Sequence, residues 1–132
     1  MGTRFLATRE TPIVDSWKQA ILRAAAQDAV RAEIWNDIAP GVGTNGYGTL
    51  VRALRTPFLD EWSAKPDEVL RELPRIREAL TQAGEAGRFH DLMIFGGQSA
   101  GGIADLPSAA EVVTRIASEA EAVLRDAARF IV

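Results

Sequence analysis

Gly96-Gly97-Gln98-Ser99-Ala100-Gly101-Gly102, with Asp105-Leu106-Pro107-Ser108 close behind it, carries more of the fold than any other stretch of this chain. The glycines mark a loop. Asp105 to Ser108 reads as a helix start, with Pro107 near the first helical position, where its missing N–H costs nothing. Beyond it Val112, Val113, Ile116, Ala120, Val123, Leu124 and Ala127 recur at helical spacing, and these side chains are expected to face inward. Glu111 with Arg115 and Glu121 with Arg125 stand four residues apart, acid first, the favourable polarity for a helical ion pair. The loop itself has two readings. Such a segment lets a backbone approach a ligand closely, a phosphate being one candidate, and it also serves as an ordinary turn.

Toward the N-terminus, His90 to Phe95 is short and apolar. Before it, Pro66-Asp67 opens a helix with Val69, Leu70, Leu73, Ile76 and Leu80 on one stripe; Pro74 is expected to kink or split it, and Gly84 and Gly87 to end it. Phe58, Leu59 and Trp62 form an apolar cluster after Pro57. A helix is expected near Thr49, carrying Leu50, Val51 and Leu54. Asn36 to Gly48 is a loop, and Ala29 to Trp35 alternates apolar and charged residues as a short strand does. Asp15 or Ser16 can cap a helix through Trp17, Ala20, Ile21 and Ala24. Thr3 to Ala7 reads as the end of a strand, or an exit from one, with nothing before it to complete the strand.

A chain of 132 residues with 47% hydrophobic and 25% charged residues fits one soluble domain or part of a larger one. The net charge of −3 and the lack of a basic face argue against a nucleic-acid partner. No apolar run approaches the roughly 20 residues of a membrane span, and no leader-length apolar segment opens the chain, so the cytoplasm is the expected location. The absence of cysteine excludes disulfides, thiolate metal ligands and thiol nucleophiles. Frequent alanine and an excess of arginine over lysine point to a GC-rich, bacterial genome.

The polar motifs each carry a plain alternative. Gly41-Val42-Gly43-Thr44-Asn45-Gly46 matches G-x-G-x-x-G, but Asn36 to Pro40 separates it from the preceding strand and the acidic residue of a dinucleotide site is missing. A loop with turn glycines is the better reading, and Tyr47 is then an ordinary loop tyrosine. His90 is the single histidine; Asp91 is only its sequence neighbour, so no catalytic pair and no metal site follow. Trp17, Trp35 and Trp62 fit core or interface packing better than an aromatic pocket. Gly2-Thr3 could offer N–H groups and a hydroxyl to an anion.

Three segments taken together resemble one family. They are Gly2-Thr3-Arg4-Phe5-Leu6-Ala7-Thr8; Arg52-Ala53-Leu54-Arg55 with Phe58-Leu59-Asp60-Glu61-Trp62; and Gly97-Gln98-Ser99-Ala100-Gly101-Gly102-Ile103 leading to Pro107-Ser108-Ala109-Ala110-Glu111-Val112-Val113. In order and approximate spacing they resemble the C-terminal part of nitronate monooxygenases, formerly 2-nitropropane dioxygenases. The related flavin-dependent enoyl-acyl-carrier-protein reductases share a similar ending. The resemblance implies an α/β fold, the C-terminal part of an FMN-binding TIM barrel plus a substrate domain, with this chain itself mostly α-helical with a few short strands. It implies three regions: 1–28 as the remnant of the last barrel strand and its helix, 29–90 as a helical substrate-domain region, and 91–132 as the glycine loop and C-terminal helix. FMN is the implied cofactor, contacted by Gly2 and Thr3 at its phosphate and by Gly97, Gln98 and Gly101 near the flavin. A nitronate and oxygen are the implied reactants.

The departures are as informative. A TIM barrel needs roughly 250 residues, and the family's catalytic histidine comes from a glycine-rich segment that this sequence lacks. No catalytic residue is therefore assigned, His90 included, and whether the chain is itself an enzyme stays open. The expectation is a truncated chain, whether gene fragment, internal start or cut product, that binds FMN weakly or not at all and turns over no nitronate. The alternatives are a non-catalytic helical module that pairs with itself or with a separate barrel half, one half of a split flavoenzyme, and a fragment of an enoyl-thioester reductase-like flavoprotein.

Overall fold

A computed structural model describes residues 1–38, 51–127 and 129. These are mostly helical around one three-stranded sheet. The helices are α1 (Gly2–Leu6), α2 (Asp15–Arg23), α3 (Ile34–Ile38), α4 (Pro57–Ser63), α5 (Pro66–Glu85), α6 (Phe89–Leu92) and α7 (Ala109–Ala127), with 3-10 turns at Ala26–Asp28 and Gln98–Gly102. The strands are β1 (Ala29–Arg31), β2 (Arg52–Leu54) and β3 (Ile94–Phe95), antiparallel, with β2 central.

Register explains how such short strands hold. Ala29, Leu54 and Ile94 lie in one row across the sheet and Val30, Ala53 and Phe95 in the next. Neighbouring residues of a strand point to opposite faces, and both faces are covered. The first row packs on Ala7, Ile21, Ala100 and Ile103. The second packs on Leu59, Trp62, Val69, Ile76, Leu80 and Met93 from α4, α5 and the turn into β3. Four rings close one end of the second core, with Trp35 edge-on to Phe95 at 5.0 Å and Trp17 stacked on Phe89 at 6.5 Å.

Several expectations are corrected. Thr3 to Ala7 is not the end of a strand: it lies in α1 and its cap, where the Arg4 and Phe5 N–H groups bond to the Met1 carbonyl. A strand needs a neighbour to satisfy its backbone, and local bonding does so here. Around Val51 and Leu54 the expected helix is replaced by β2, the strand that both others pair with. Thr49, Leu50, the Gly41–Gly46 pattern and Tyr47 lie outside the described residues. Neither Asp15 nor Ser16 caps α2, whose cap is Val14 with no side-chain bond. The strand expected over Ala29 to Trp35 ends at Arg31, and α3 begins at Ile34.

Pro74 does not split α5, which runs unbroken through it. Proline frees the carbonyl four residues before it; that residue is Leu70, 62% exposed, so water reaches the freed group. The helix ends in a Schellman motif, the Arg88 N–H bonding to the Ala83 carbonyl at 2.7 Å and the Gly87 N–H to Gly84 at 3.0 Å. Gly87 adopts φ 68°, the left-handed conformation that favours glycine.

At α7 the start shifts. Helix begins at Ala109, so Pro107 lies outside it. Ser108 is the cap: the Glu111 N–H donates to its Oγ at 3.1 Å while its own N–H donates to the Glu111 carboxylate at 2.6 Å, a reciprocal capping box. Glu111 therefore does not pair with Arg115, which turns to Asp105, whereas Glu121 and Arg125 do pair. The larger correction concerns burial. Of the residues expected inward only Val112 is buried; Val113, Ile116, Val123 and Leu124 are 56%, 36%, 67% and 72% exposed.

Candidate functional site

The fold brings the first and last glycine segments together. Thr3, on α1, is buried, and its Oγ1 accepts the Gly97 N–H at 2.8 Å across 94 residues of sequence. Its own hydroxyl proton has no acceptor among the described hydrogen bonds. A Cβ placed on Gly97 would touch only Thr3 Oγ1, at 3.4 Å, and one on Gly2 would meet nothing within 4 Å. Gly2 is exposed, and the first N–H groups of a helix have no partner within it. Gly2, Thr3 and Gly97 thus form one rim, exposed at Gly2, half-buried at Gly97 and buried at Thr3. Gln98 stands exposed beside it.

Gly101 differs from its neighbours. A Cβ there would lie 2.6 Å from the Ala26 backbone nitrogen and 3.1 Å from Ala26 Cα. The 3-10 turns Ala26–Asp28 and Gln98–Gly102 pack directly on each other at this point. The structure therefore gives Gly101 a reason to be glycine that needs no ligand.

Next to the rim an ion cluster locks α1 to the base of α7. Arg4 donates to Asp105 Oδ1 at 3.0 Å and to the Ala7 and Asp105 carbonyls, and Arg115 donates to Asp105 Oδ2. Arg4 Nε is buried without a partner among the described residues. The hydrogen bond from Arg115 holds the Asp105 carboxyl below its usual range; burial opposes it, and the charges of Arg115 and Arg4 add to it. A carboxylate whose pKa is lowered on folding stabilises the fold above its unfolded pKa of about 4 and loses that contribution as pH falls through the lower folded value. Asp105→Asn is accordingly expected to lower the melting temperature at pH 7, and the gap from wild type should close on acidification below about pH 4. Thermal melts of both proteins from pH 7 downward measure this. A gap that does not narrow would show that the carboxylate's charge contributes nothing.

A second pairing was not legible from spacing. Ser16 Oγ lies 2.6 Å from His90 Nε2, and Asp91 Oδ1 lies 3.4 Å from the same nitrogen. A serine–histidine–aspartate relay needs the carboxylate on the other ring nitrogen, to orient the imidazole while Nε2 serves the serine. With both partners on Nε2, the geometry ties α6 to the start of α2 and builds no nucleophile. His90 and Asp91 both lie on α6.

Five clefts among the described residues measure 210 to 280 Å³, below the roughly 300–1,000 Å³ of cofactor pockets. None is lined by Gly2, Thr3, Gly97 or Gln98. No group of three potential metal ligands occurs among the described residues, and no described helix is long and apolar enough to cross a membrane.

The arrangement of helices and sheet recurs in a larger protein. No family profile matches the chain, and no curated protein does. Among solved structures it is similar to FabK from Thermotoga maritima, with a TM-score of 0.70 and 24% identity over 99% of this chain and 39% of that one. A point mutant of that FabK matches with a TM-score of 0.67 and 24% identity, over 99% of this chain and 35% of that one. The chain spans less than two-fifths of the length of the FabK chains it matches. At this identity the likeness is one of fold.

Proposed function

We propose that this chain forms the phosphate-side wall of an FMN-dependent oxidoreductase built on a FabK-like fold. The observation that carries the reading is the Thr3–Gly97 hydrogen bond, which joins the two segments that resemble flavoenzyme loops into one rim. In this reading the Gly2 and Thr3 N–H groups and the Thr3 hydroxyl donate to the FMN phosphate, and the Gly97 N–H holds the Thr3 oxygen in place. In the same reading the exposed Gln98 contacts the flavin. Bound FMN would supply the electron transfer to the second reactant. Oxidation of an alkyl nitronate by oxygen is the reaction favoured by the sequence segments. Reduction of an enoyl thioester is a second reading, favoured by the likeness to FabK.

The rim is small, so binding by this chain alone is expected to be weak. Amide chemical shifts resolve it: millimolar FMN should move the Gly2, Thr3, Gly97 and Gln98 resonances, and riboflavin, which lacks the phosphate, should not. Thr3→Val should abolish the shifts, since it removes the hydroxyl that donates to the ligand and accepts from Gly97. If these resonances stay still with FMN, or move equally with riboflavin, the reading fails. A protein that contains this chain and binds FMN stoichiometrically is then assayed for oxygen uptake with a nitronate against consumption of an enoyl thioester, which separates the two reactions.

A further inference from the structure

We infer that the cleft between segment 12–14 and α6 is a binding site for a small neutral aromatic molecule with one hydroxyl donor, a phenol. Pro12, Ile13, Val14, Trp17, Phe89 and His90 line this cleft, which measures 230 Å³. All of these side chains but His90 are apolar. Pro12 is exposed and Val14 is 42% exposed, so the apolar wall is open to solvent. Apolar cavities of about 150 Å³ take up benzene, and the space here suits a single ring. Trp17 and Phe89 stack with their centroids 6.5 Å and their planes 23° apart, which gives one wall a broad aromatic surface.

Both walls are built before a ligand arrives, as in most small-molecule sites. The Trp17 and Lys18 N–H groups bond to the Val14 carbonyl at 3.1 and 3.3 Å, and the Lys18 ammonium holds the Arg9 carbonyl at 3.2 Å. Opposite, Gly87 turns the chain out of α5, and the Met93 N–H closes α6 on the Phe89 carbonyl at 2.9 Å. The Ser16–His90 bond ties the two walls together. One ring nitrogen then selects the ligand. Trp17 Nε1 is already used, donating to the Phe95 carbonyl at 3.3 Å. His90 Nε2 faces the Ser16 hydroxyl at 2.6 Å and the Asp91 carboxylate at 3.4 Å. An ionised carboxylate only accepts, so this pair favours the proton on Nε2, and the neutral imidazole keeps Nδ1 as an acceptor. Nδ1 has no partner among the described hydrogen bonds, and solvent reaches it. A fitting ligand therefore lays an apolar ring against Trp17, Phe89 and Val14 and donates one O–H to Nδ1. A carboxylate in its place would set an acceptor against an acceptor, with Asp91 close by.

The test titrates the chain with phenol and with toluene, a ring of the same size without the hydroxyl, at about pH 8, above the ordinary range of histidine. In the free protein the nitrogen resonances of the His90 ring should show Nε2 protonated and Nδ1 bare. Both probes at millimolar concentration should shift the Ile13 and Val14 methyl resonances, and phenol should move Nδ1 well beyond any shift that toluene causes. His90→Phe keeps a ring and removes the acceptor. It should lower the ratio of phenol to toluene affinity by roughly 2- to 12-fold, the worth of one neutral hydrogen bond; taking the ratio cancels the stronger aversion of toluene to water. Val14→Glu puts a charge in the apolar wall and should weaken both probes while leaving the melting temperature unchanged, since Val14 is partly exposed. A proton found on Nδ1 in the free protein overturns the inference. So do methyl resonances that neither probe moves, and an affinity ratio that His90→Phe leaves unchanged. Should His90→Phe fail to fold, the wild-type Nδ1 resonance decides, and equal movement with both probes overturns the inference.

Discussion

Leu59→Ala is expected to lower the unfolding free energy by about 2–5 kcal/mol, the range for deleting a fully buried leucine side chain. Leu59 is fully buried on α4 and belongs to the core formed by Trp62, Val69, Ile76, Leu80 and Met93. Its position is fixed twice over. Thr56, buried itself, caps α4 by accepting the Leu59 N–H at 3.1 Å and donates its hydroxyl to the Leu92 carbonyl at 2.6 Å. With the helix held on both sides, the site has little freedom to collapse into the space that alanine leaves, which places the cost in the upper part of the range. Domains of this size are stable by only about 5–15 kcal/mol, so the variant loses a large share of its stability. Urea titration of the wild type, Leu59→Ala and Leu70→Ala measures this. Leu70 is exposed, and its truncation should change stability by less than about 0.5 kcal/mol.

The second large effect decides between two readings of one glycine. Gly101→Ala places a methyl group where the Ala26 backbone nitrogen stands 2.6 Å away. Backbone cannot rotate aside as a side chain can, so the two 3-10 turns must separate. Overpacking of this kind costs roughly 1–3 kcal/mol. Gly102→Ala is the matched control, because a Cβ there meets nothing within 4 Å, and it should be silent. If Gly101 is glycine for packing, the loss is the same with and without FMN. If it is glycine because a flavin passes close by, Gly101→Ala leaves the melting temperature intact and erases the FMN-induced amide shifts. Melts of both variants, with the amide titration repeated on Gly101→Ala, separate the outcomes.

Those glycines also mark how far sequence carries. The local signals for α2, α5 and α7 are strong because an amphipathic helix writes its periodicity into consecutive residues. β2 writes almost nothing: three residues with two buried neighbours in a row look the same in a helix, and only Ala29–Arg31 and Ile94–Phe95 make them a strand. α1 reads as the exit of a strand for a related reason, since five residues show too little periodicity to tell a helical turn from one. The Thr3–Gly97 and Ser16–His90 contacts span 94 and 74 residues, distances at which spacing holds no information. The stripe on α7 was legible, whereas its exposure was not. A hydrophobic pattern states that a face wants covering without stating what covers it.

The sheet has a consequence for how the chain comes apart. Its two rows of side chains belong to two different cores, one against α2 and the Gln98–Gly102 turn, the other against α4 and α5. β2 contributes Leu54 to the first and Ala53 to the second. Neither core can melt and leave the other intact, because the wall that each loses is the reverse side of the other's floor. Unfolding of these two layers should therefore be a single all-or-none event. α7, none of whose residues belongs to either core, is free to fray ahead of it at almost no cost to the rest.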